Sequence, residues 1–320
     1  MEYRALGNTG LKVSAIGFGC GAVGGLMVRG EVAEQRRAVE QAILAGINYF
    51  DTAPSYGAGR SEETIGPLLN ELRAPVYLGT KVRLAEEAAD KPAVRIRRSI
   101  EASLRRLGRE RIDLLQLHDH VRDAGPADID AVLGPIAEGL NAVREAGLTR
   151  FIGFTGLGDV TSLHRVAQAG IFDTVQCYVN ALNPSAGWTV RPSSEQDFCG
   201  LIGLASAAGL GVIAIRVLAA GAIAGPERHH IAGSPGRPLV EGGVYEANVV
   251  QAGKLAELAA SLGLEGAAEL SYRLVLSHHG VSTALAGVSE VSHIEAALRW
   301  ERRGPLDAAA VESVLGLVGA

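Results

Sequence analysis

The feature that most narrows the choice of fold is an alternation. Short apolar or β-branched runs at 15–19, 48–51, 76–80, 114–118, 151–155, 174–178, 212–216 and 283–286 are separated by longer amphipathic stretches. These read as helices at 32–45, 61–69, 93–107, 129–146, 160–168, 195–208, 249–277 in two pieces, and 291–299. Short strands that alternate with long helices are joined by crossovers rather than tight turns, so neighbouring strands run parallel. Eight such units predict a closed (β/α)8 TIM barrel, with an open doubly wound sheet as the alternative.

Two pieces fall outside the repeat. Residues 3–14 read as a β-hairpin turning at Gly7-Asn8-Thr9-Gly10, suited to closing the floor of a barrel. Residues 306–317 follow Gly304-Pro305 and read as one further C-terminal helix. The stretch 218–248 is the one long loop, with Gly225-Pro226, Ser234-Pro235-Gly236 and Pro238. In a compact domain such a loop is a functional lid or a disordered insertion. No shift in composition marks a boundary, and α/β barrels run to ~250 residues or more as one unit. Residues 1–320 therefore read as a single domain.

Charge and composition exclude several classes. An apolar content of 48% is too high for a disordered chain. With 30 basic against 35 acidic residues the chain lacks the basic footprint of a nucleic-acid binder. The run Arg95, Arg97, Arg98, Arg105, Arg106, Arg109 and Arg111 reads as the solvated face of a helix, with Ile96, Ile100, Leu104 and Leu107 inward. Residues 201–225 carry Arg216 as their only charge, but the apolar run before it is only about 15 residues, short of the ~20 that cross a bilayer. Cys20, Cys177 and Cys199 have no CxxC spacing, and polar Glu2, Arg4, Asn8 and Lys12 interrupt any signal peptide. A reduced, cytoplasmic protein without membrane or nucleic-acid partners is the expectation.

In a parallel barrel, polar residues at the C-terminal ends of the strands converge on one face. Asp51 closes the second strand, Tyr56 lies five residues on in its loop, Lys81 follows the third strand and His118 ends the fourth. A free phenol has a pKa near ~10, and a lysine ammonium beside it favours the phenolate and lowers that value. Asp51 would hold Lys81 charged, and His118 would donate a hydrogen bond to a carbonyl oxygen. Such a set suits a carbonyl that gains hydride on carbon and a proton on oxygen. A metal is not expected: His118 and His120 share a strand face but lack a third ligand, and Lys81 repels a cation. His229-His230 and His278-His279 read as surface loop residues.

The segments Phe50-Asp-Thr-Ala-Pro-Ser-Tyr-Gly-Ala-Gly-Arg-Ser-Glu62, Gly79-Thr-Lys-Val82, Asp113-Leu-Leu-Gln-Leu-His118 and Ile152-Gly-Phe-Thr155 resemble signatures of the aldo-keto reductase superfamily. Leu6-Gly-Asn-Thr-Gly-Leu-Lys-Val-Ser14 and Ile16-Gly-Phe-Gly-Cys-Gly21 are similar to it as well. The resemblance implies a (β/α)8 barrel that binds extended NAD(H) or NADP(H), with Asp51, Tyr56, Lys81 and His118 as catalytic tetrad and Tyr56 as general acid or base. It also implies that Thr155 and Gln176 hold the nicotinamide carboxamide, with Gly156 where asparagine is common. Ile215 takes the place of a stacking aromatic. Arg216, where a small polar residue is usual, reads as a phosphate or carboxylate contact or as an ion pair with an acidic neighbour.

In the family, the segment Leu285-Ala-Gly-Val-Ser-Glu-Val-Ser-His293 grips the adenosine end, which makes Gly287, Ser289, Glu290 and His293 candidate cofactor contacts. A carboxylate such as Glu290 accepts from a ribose 2′-hydroxyl and repels a 2′-phosphate, which points to NAD, while the resemblance points to NADP. Trp188 and Tyr245 are candidate substrate-binding aromatics, either over the substrate or packed against the rim. Arg191, Glu195, Glu227, Arg228 and Arg237 are the main charges in the substrate loops, which leaves small polar or sugar-like carbonyls as substrates. The expected activity is NAD(P)(H)-dependent interconversion of an aldehyde, ketone or aldose with an alcohol or lactone. The alternatives are an aldose 1-dehydrogenase working in the oxidative direction and a non-catalytic, cofactor-sensing relative.

Overall fold

The computed structural model describes residues 1–84, 91–192, 195–225 and 243–319. An antiparallel pair, β1 (Tyr3–Ala5) and β2 (Lys12–Ser14), comes first. Eight strands follow: β3 (Ile16–Gly19), β4 (Tyr49–Asp51), β5 (Tyr77–Val82), β6 (Ile112–Leu117), β7 (Thr149–Gly156), β8 (Thr174–Tyr178), β9 (Gly211–Ile215) and β10 (Val281–Gly287). Each pairs in parallel with the next, and β10 pairs with β3, so the sheet closes on itself. The barrel, rather than the open sheet, is the fold. Closure removes every sheet edge, and helices cover the outer face of the strands.

The hairpin plugs the N-terminal end. Leu6, Leu11 and Val13 are buried against Tyr49, Leu114 and Ile213 from the barrel interior. Gly7 sits at φ +53°, and a β-carbon there would come 2.2 Å from the amide nitrogen of Gly211, so only glycine fits. Asn8 N donates to Gly209 O at 2.9 Å, tying the turn to the entrance of β9.

Helices Val32–Leu44, Arg60–Glu71, Pro92–Leu107, Val160–Gln168, Ala267–Ser277 and Val291–Arg302 lie close to their expected positions. Three departures have local causes. The stretch 129–146 is broken at Val132–Ile136, where Gly134 leaves helical geometry and Pro135 has no N–H to donate. The helix expected at 195–208 spans only Leu201–Ala207, because Cys199 and Gly200 are left-handed at φ +49° and +74°. The stretch 218–248 is not wholly loop: Ala219–Ala224 forms tight turns and a helix begins at Tyr245, running to Ser261. Glu227, Arg228, His229, His230 and Arg237 lie outside the described residues.

Ile96, Ile100, Leu104 and Leu107 face inward as the arginine pattern requires. Arg106 is only partly solvated; its Nε donates to Glu62 Oε2 at 2.6 Å. His278, read as a surface residue, is buried, with Nε2 at 2.9 Å from Gly187 O, while His279 is exposed. Among the described residues no helix is long and apolar enough to cross a membrane.

Candidate active site

The loop after β4 sets the geometry. Thr52 N donates to Gly79 O at 2.9 Å and Cys20 N to Asp51 O at 2.9 Å, pinning the end of β4 between its two neighbours. Gly57, Ala58 and Gly59 are successively left-handed, at φ +63°, +53° and +96°, and turn the chain into helix Arg60–Glu71. Ser61 Oγ then donates to Cys20 O at 2.9 Å. Glu62, wholly buried, accepts from Thr80 Oγ1 at 2.5 Å as well as from Arg106. Tyr56 is thereby held in a loop fixed at both ends.

The four residues singled out from the sequence come together here. Lys81 Nζ contacts Asp51 Oδ1 and donates to Thr52 O at 2.8 Å, and both side chains are buried, at 1% and 2% exposure. The ammonium lies 4.8 Å from the centroid of the Tyr56 ring. The rings of Tyr56 and His118 meet edge to face at 5.8 Å. Ser55 Oγ lies 3.4 Å from His118 Nδ1. Asp51 Oδ2 accepts from Gln176 Nε2 at 2.7 Å, Tyr49 Oη at 3.3 Å and Gln116 Nε2 at 3.4 Å.

Burial dominates the electrostatics. It pushes the Asp51 carboxyl up, against the pull of Lys81. Lys81 loses solvation too, yet Asp51 and Tyr56 hold its ammonium above the usual lysine value. Tyr56 does not follow the sequence expectation. Desolvation raises its phenol and outweighs the lowering by Lys81 and Arg216, so the net direction is up. Burial, with Lys81 and Arg83 nearby, drives His118 down to about 3, so this imidazole is neutral at physiological pH.

The residues expected to hold a nicotinamide divide. Thr155 and Gln176 are opposite one another in the β7–β8 register. Thr155 Oγ1 is buried with no hydrogen-bond partner among the described residues, an unsatisfied group that a carboxamide would fill. A β-carbon on Gly156 would lie 2.9 Å from Gln176 O, so no side chain fits there. Ile215 packs on the apolar floor. Arg216 is left-handed at φ +58°; burial lowers its pKa, and the charge is felt by Tyr178 and Tyr56. Its carbonyl accepts from Asn180 Nδ2 at 3.1 Å.

Gly287 ends β10, two strands around the barrel from β4. Leu26 N donates to Val288 O at 3.1 Å, and Ser289 N donates to His293 Nδ1 at 3.2 Å. Glu290 receives the Ser292 hydroxyl and lies 3.8 Å from His293 Nε2, immediately before helix Val291–Arg302. One turn further on, Ala296 lines a groove of about 580 Å³ whose other walls include Ala224, Gly253, Ala267 and Ala268. The run Gly19-Cys-Gly-Ala-Val-Gly24 has the glycine spacing of a dinucleotide fingerprint, but it leads into a single turn, Leu26–Arg29, of a closed barrel rather than into a Rossmann crossover.

The two aromatics differ in fate. Trp188 meets the His278 ring edge-on at 5.0 Å, beside the turn that enters β10. That is the end of the strand away from the tetrad, so Trp188 is a wall residue and does not cover the site. Tyr245 opens its helix half-buried, against the cluster that includes Ala219, Ala222 and Ile223. At the mouth, Glu195 accepts from Asn248 Nδ2 at 2.8 Å, Asn183 Nδ2 at 3.1 Å and the Tyr178 hydroxyl at 3.5 Å. Tyr49 and Gln116 escape a reading confined to strand ends. The signal for them is the two-residue period, which puts Tyr49 under Asp51 and Gln116 under His118.

Residues 15–317 match the Aldo/keto reductase family. The L-galactose dehydrogenase of Arabidopsis thaliana is 33% identical over 305 residues, covering 92% of this chain and 86% of its own. A D-threo-aldose 1-dehydrogenase from Pseudomonas sp is 31% identical over 222 residues, 60% of this chain and 65% of that protein. Among solved structures, an aldo-keto reductase of Bacillus halodurans in its holo form superposes with a TM-score of 0.75 at 23% identity, over 99% of this chain and 96% of that one.

Proposed function

The chain belongs to the aldo/keto reductase family of oxidoreductases, and from that premise we propose that it is a nicotinamide-dependent enzyme that oxidises an aldose at C1 to the lactone. The observation that carries the reading is the buried Asp51–Lys81 pair beneath the Tyr56 ring, with His118 at its edge. NAD(P)(H), when bound, accepts or supplies the hydride at carbon. The protein's own part is the proton and the orientation. In the oxidative direction the Tyr56 oxygen takes the proton of the anomeric hydroxyl, and in the reductive direction it returns one to the carbonyl oxygen. Lys81 offsets the charge on the phenolate, and Asp51 keeps Lys81 in place. His118, neutral and with Ser55 at Nδ1, is placed to donate from Nε2 to the reacting oxygen.

Thr155 and Gln176 would hold the carboxamide, and Gly287, Ser289, Glu290 and His293 the adenosine end. Glu290 favours a ribose 2′-hydroxyl, hence NAD(H), over a 2′-phosphate. An aldose is favoured because polar groups gather beyond the ends of β8 and β9, where Asn248 and Asn183 donate to Glu195 and Asn180 donates to Arg216 O, and because two relatives are named for aldoses. Fluorescence titration with NADH and NADPH, followed by a panel of aldoses and aldehydes at about pH 7 and about pH 9, tests the reading. The expected result is binding of NADH and turnover of at least one aldose with NAD. Binding without turnover of any sugar or aldehyde would overturn it in favour of a cofactor-sensing role.

A further inference from the structure

Two interior side chains serve no role in the scheme above. Asp51 Oδ1 receives Lys81, while Oδ2 receives Gln176 at 2.7 Å, Tyr49 at 3.3 Å and Gln116 at 3.4 Å. Gln176 belongs to the carboxamide pair; Tyr49 and Gln116 touch neither substrate nor cofactor in that scheme. Both are sealed in the barrel, at 1% and 0% exposure. Register brings them there: Gln116 lies opposite Lys81 across β5–β6, and Tyr49 shares its face of β4 with Asp51. Glycine makes the space. A β-carbon on Gly79, opposite Asp51, would lie 2.7 Å from Tyr49 Oη and 3.6 Å from Asp51 Oδ2.

We propose that Tyr49 and Gln116 are positioning residues for the reaction: they hold Oδ2 of Asp51, aim Oδ1 at Lys81, and keep the Asp51–Lys81 pair ionised beneath Tyr56. The inference rests on Tyr56 as the proton carrier. A carboxylate with no water around it keeps its charge only while its lone pairs are filled. Remove donors from Oδ2 and the carboxylate takes up a proton more readily. The groups that face the pair are Tyr49 on β4, Lys81 on β5, His118 after β6, Cys20 after β3, Tyr56 after β4 and Arg216 after β9, with Asp113 acting on Tyr49. The Cys20 thiol and the Tyr49 and Tyr56 phenols are all raised and His118 is neutral, so the acid that protonates the carboxylate is the Lys81 ammonium bonded to it. A neutral Lys81 no longer pulls on the Tyr56 phenol.

The test uses Gln116→Met and Tyr49→Phe, which conserve volume, each alone and combined with Asp51→Asn. Tyr56 ionisation is followed without substrate, as the ultraviolet tyrosinate absorbance of each protein minus that of its Tyr56→Phe counterpart. Each single variant is expected to raise the Tyr56 midpoint by about one pH unit, the scale of one hydrogen bond to a charged group. In the Asp51→Asn background neither should shift it further. Reduction of nitrobenzaldehyde at neutral pH should fall about tenfold while the cofactor Kd stays unchanged. An unmoved midpoint in both folded variants, or the same shift with Asp51 already replaced, overturns the proposal. Failure of the Tyr56 assignment shows separately, as a Tyr56→Phe enzyme that still reduces the aldehyde at the wild-type rate.

Discussion

A phenol raised by burial holds its proton at neutral pH, and this sets the sign of the pH dependence. In the proposed scheme carbonyl reduction needs protonated Tyr56, so its rate should stay level through neutral pH and fall as pH climbs through the raised phenol pKa. Aldose oxidation needs the phenolate and should rise over the same window. His118, already neutral above about 3, contributes no limb near neutrality. Opposite slopes for the two directions, measured as kcat against pH, check the assignment; parallel slopes would sink it. Replacing Tyr56 with Phe should lower kcat at least ~100-fold with cofactor binding retained. At the proposed adenosine site, Glu290→Lys should shift the NADPH-to-NADH ratio of Kd towards NADPH by about tenfold, since one charge-assisted contact replaces one repulsion. The four residues were legible because three stand at or next to strand ends and Tyr56 lies in the loop that follows one, positions which sequence alone locates. Tyr49 and Gln116 were not, because their role depends on which strands are neighbours. The direction of the Tyr56 shift was also hidden, because it is set by how deeply the loop is buried.

Elements show why the site is rigid where it matters. Helix Arg60–Glu71 ends the tyrosine loop, and its first turn is anchored through Glu62, which is wholly enclosed and bridged to Thr80 and Arg106. Arg106→Ala leaves that carboxylate buried without its cation, and breaking such a pair typically costs about 3–5 kcal/mol. Urea unfolding should show that loss, and combining it with Glu62→Gln should recover part of it; additive losses would mean the pair does not act as a unit. The amphipathic pattern of 93–107 revealed the inward face of that helix, but a single arginine turned towards a neighbouring helix leaves no trace in a periodicity. The short helix Leu201–Ala207 teaches the same point. Its apolar spacing extends further back, yet Cys199 and Gly200 adopt left-handed geometry, the Glu195 carboxylate accepts from Asn183 and Asn248, and the Phe198 backbone N–H donates to Ser185 Oγ.

At the scale of the molecule, the hairpin joins the first part of the chain to the last. Arg4 donates to Leu276 O and Val281 O, each at 3.0 Å, and Glu2 N donates to Glu301 Oε1 at 2.6 Å. The seam between β10 and β3 closes just above, so the plug and the seam stabilise one another. Leu11 is 4% exposed and inserts into the floor cluster with Tyr49, the residue beneath Asp51. Leu11→Ala should therefore cost about 2–5 kcal/mol, the usual range for a buried leucine. Because the floor and the catalytic layer share Tyr49, the loss should appear across the whole protein and not as separate melting of the hairpin. Thermal unfolding followed by near- and far-ultraviolet circular dichroism is expected to give one coincident transition, displaced to lower temperature in the variant. Two separated transitions would contradict both the shared core and the reading of residues 1–320 as one domain.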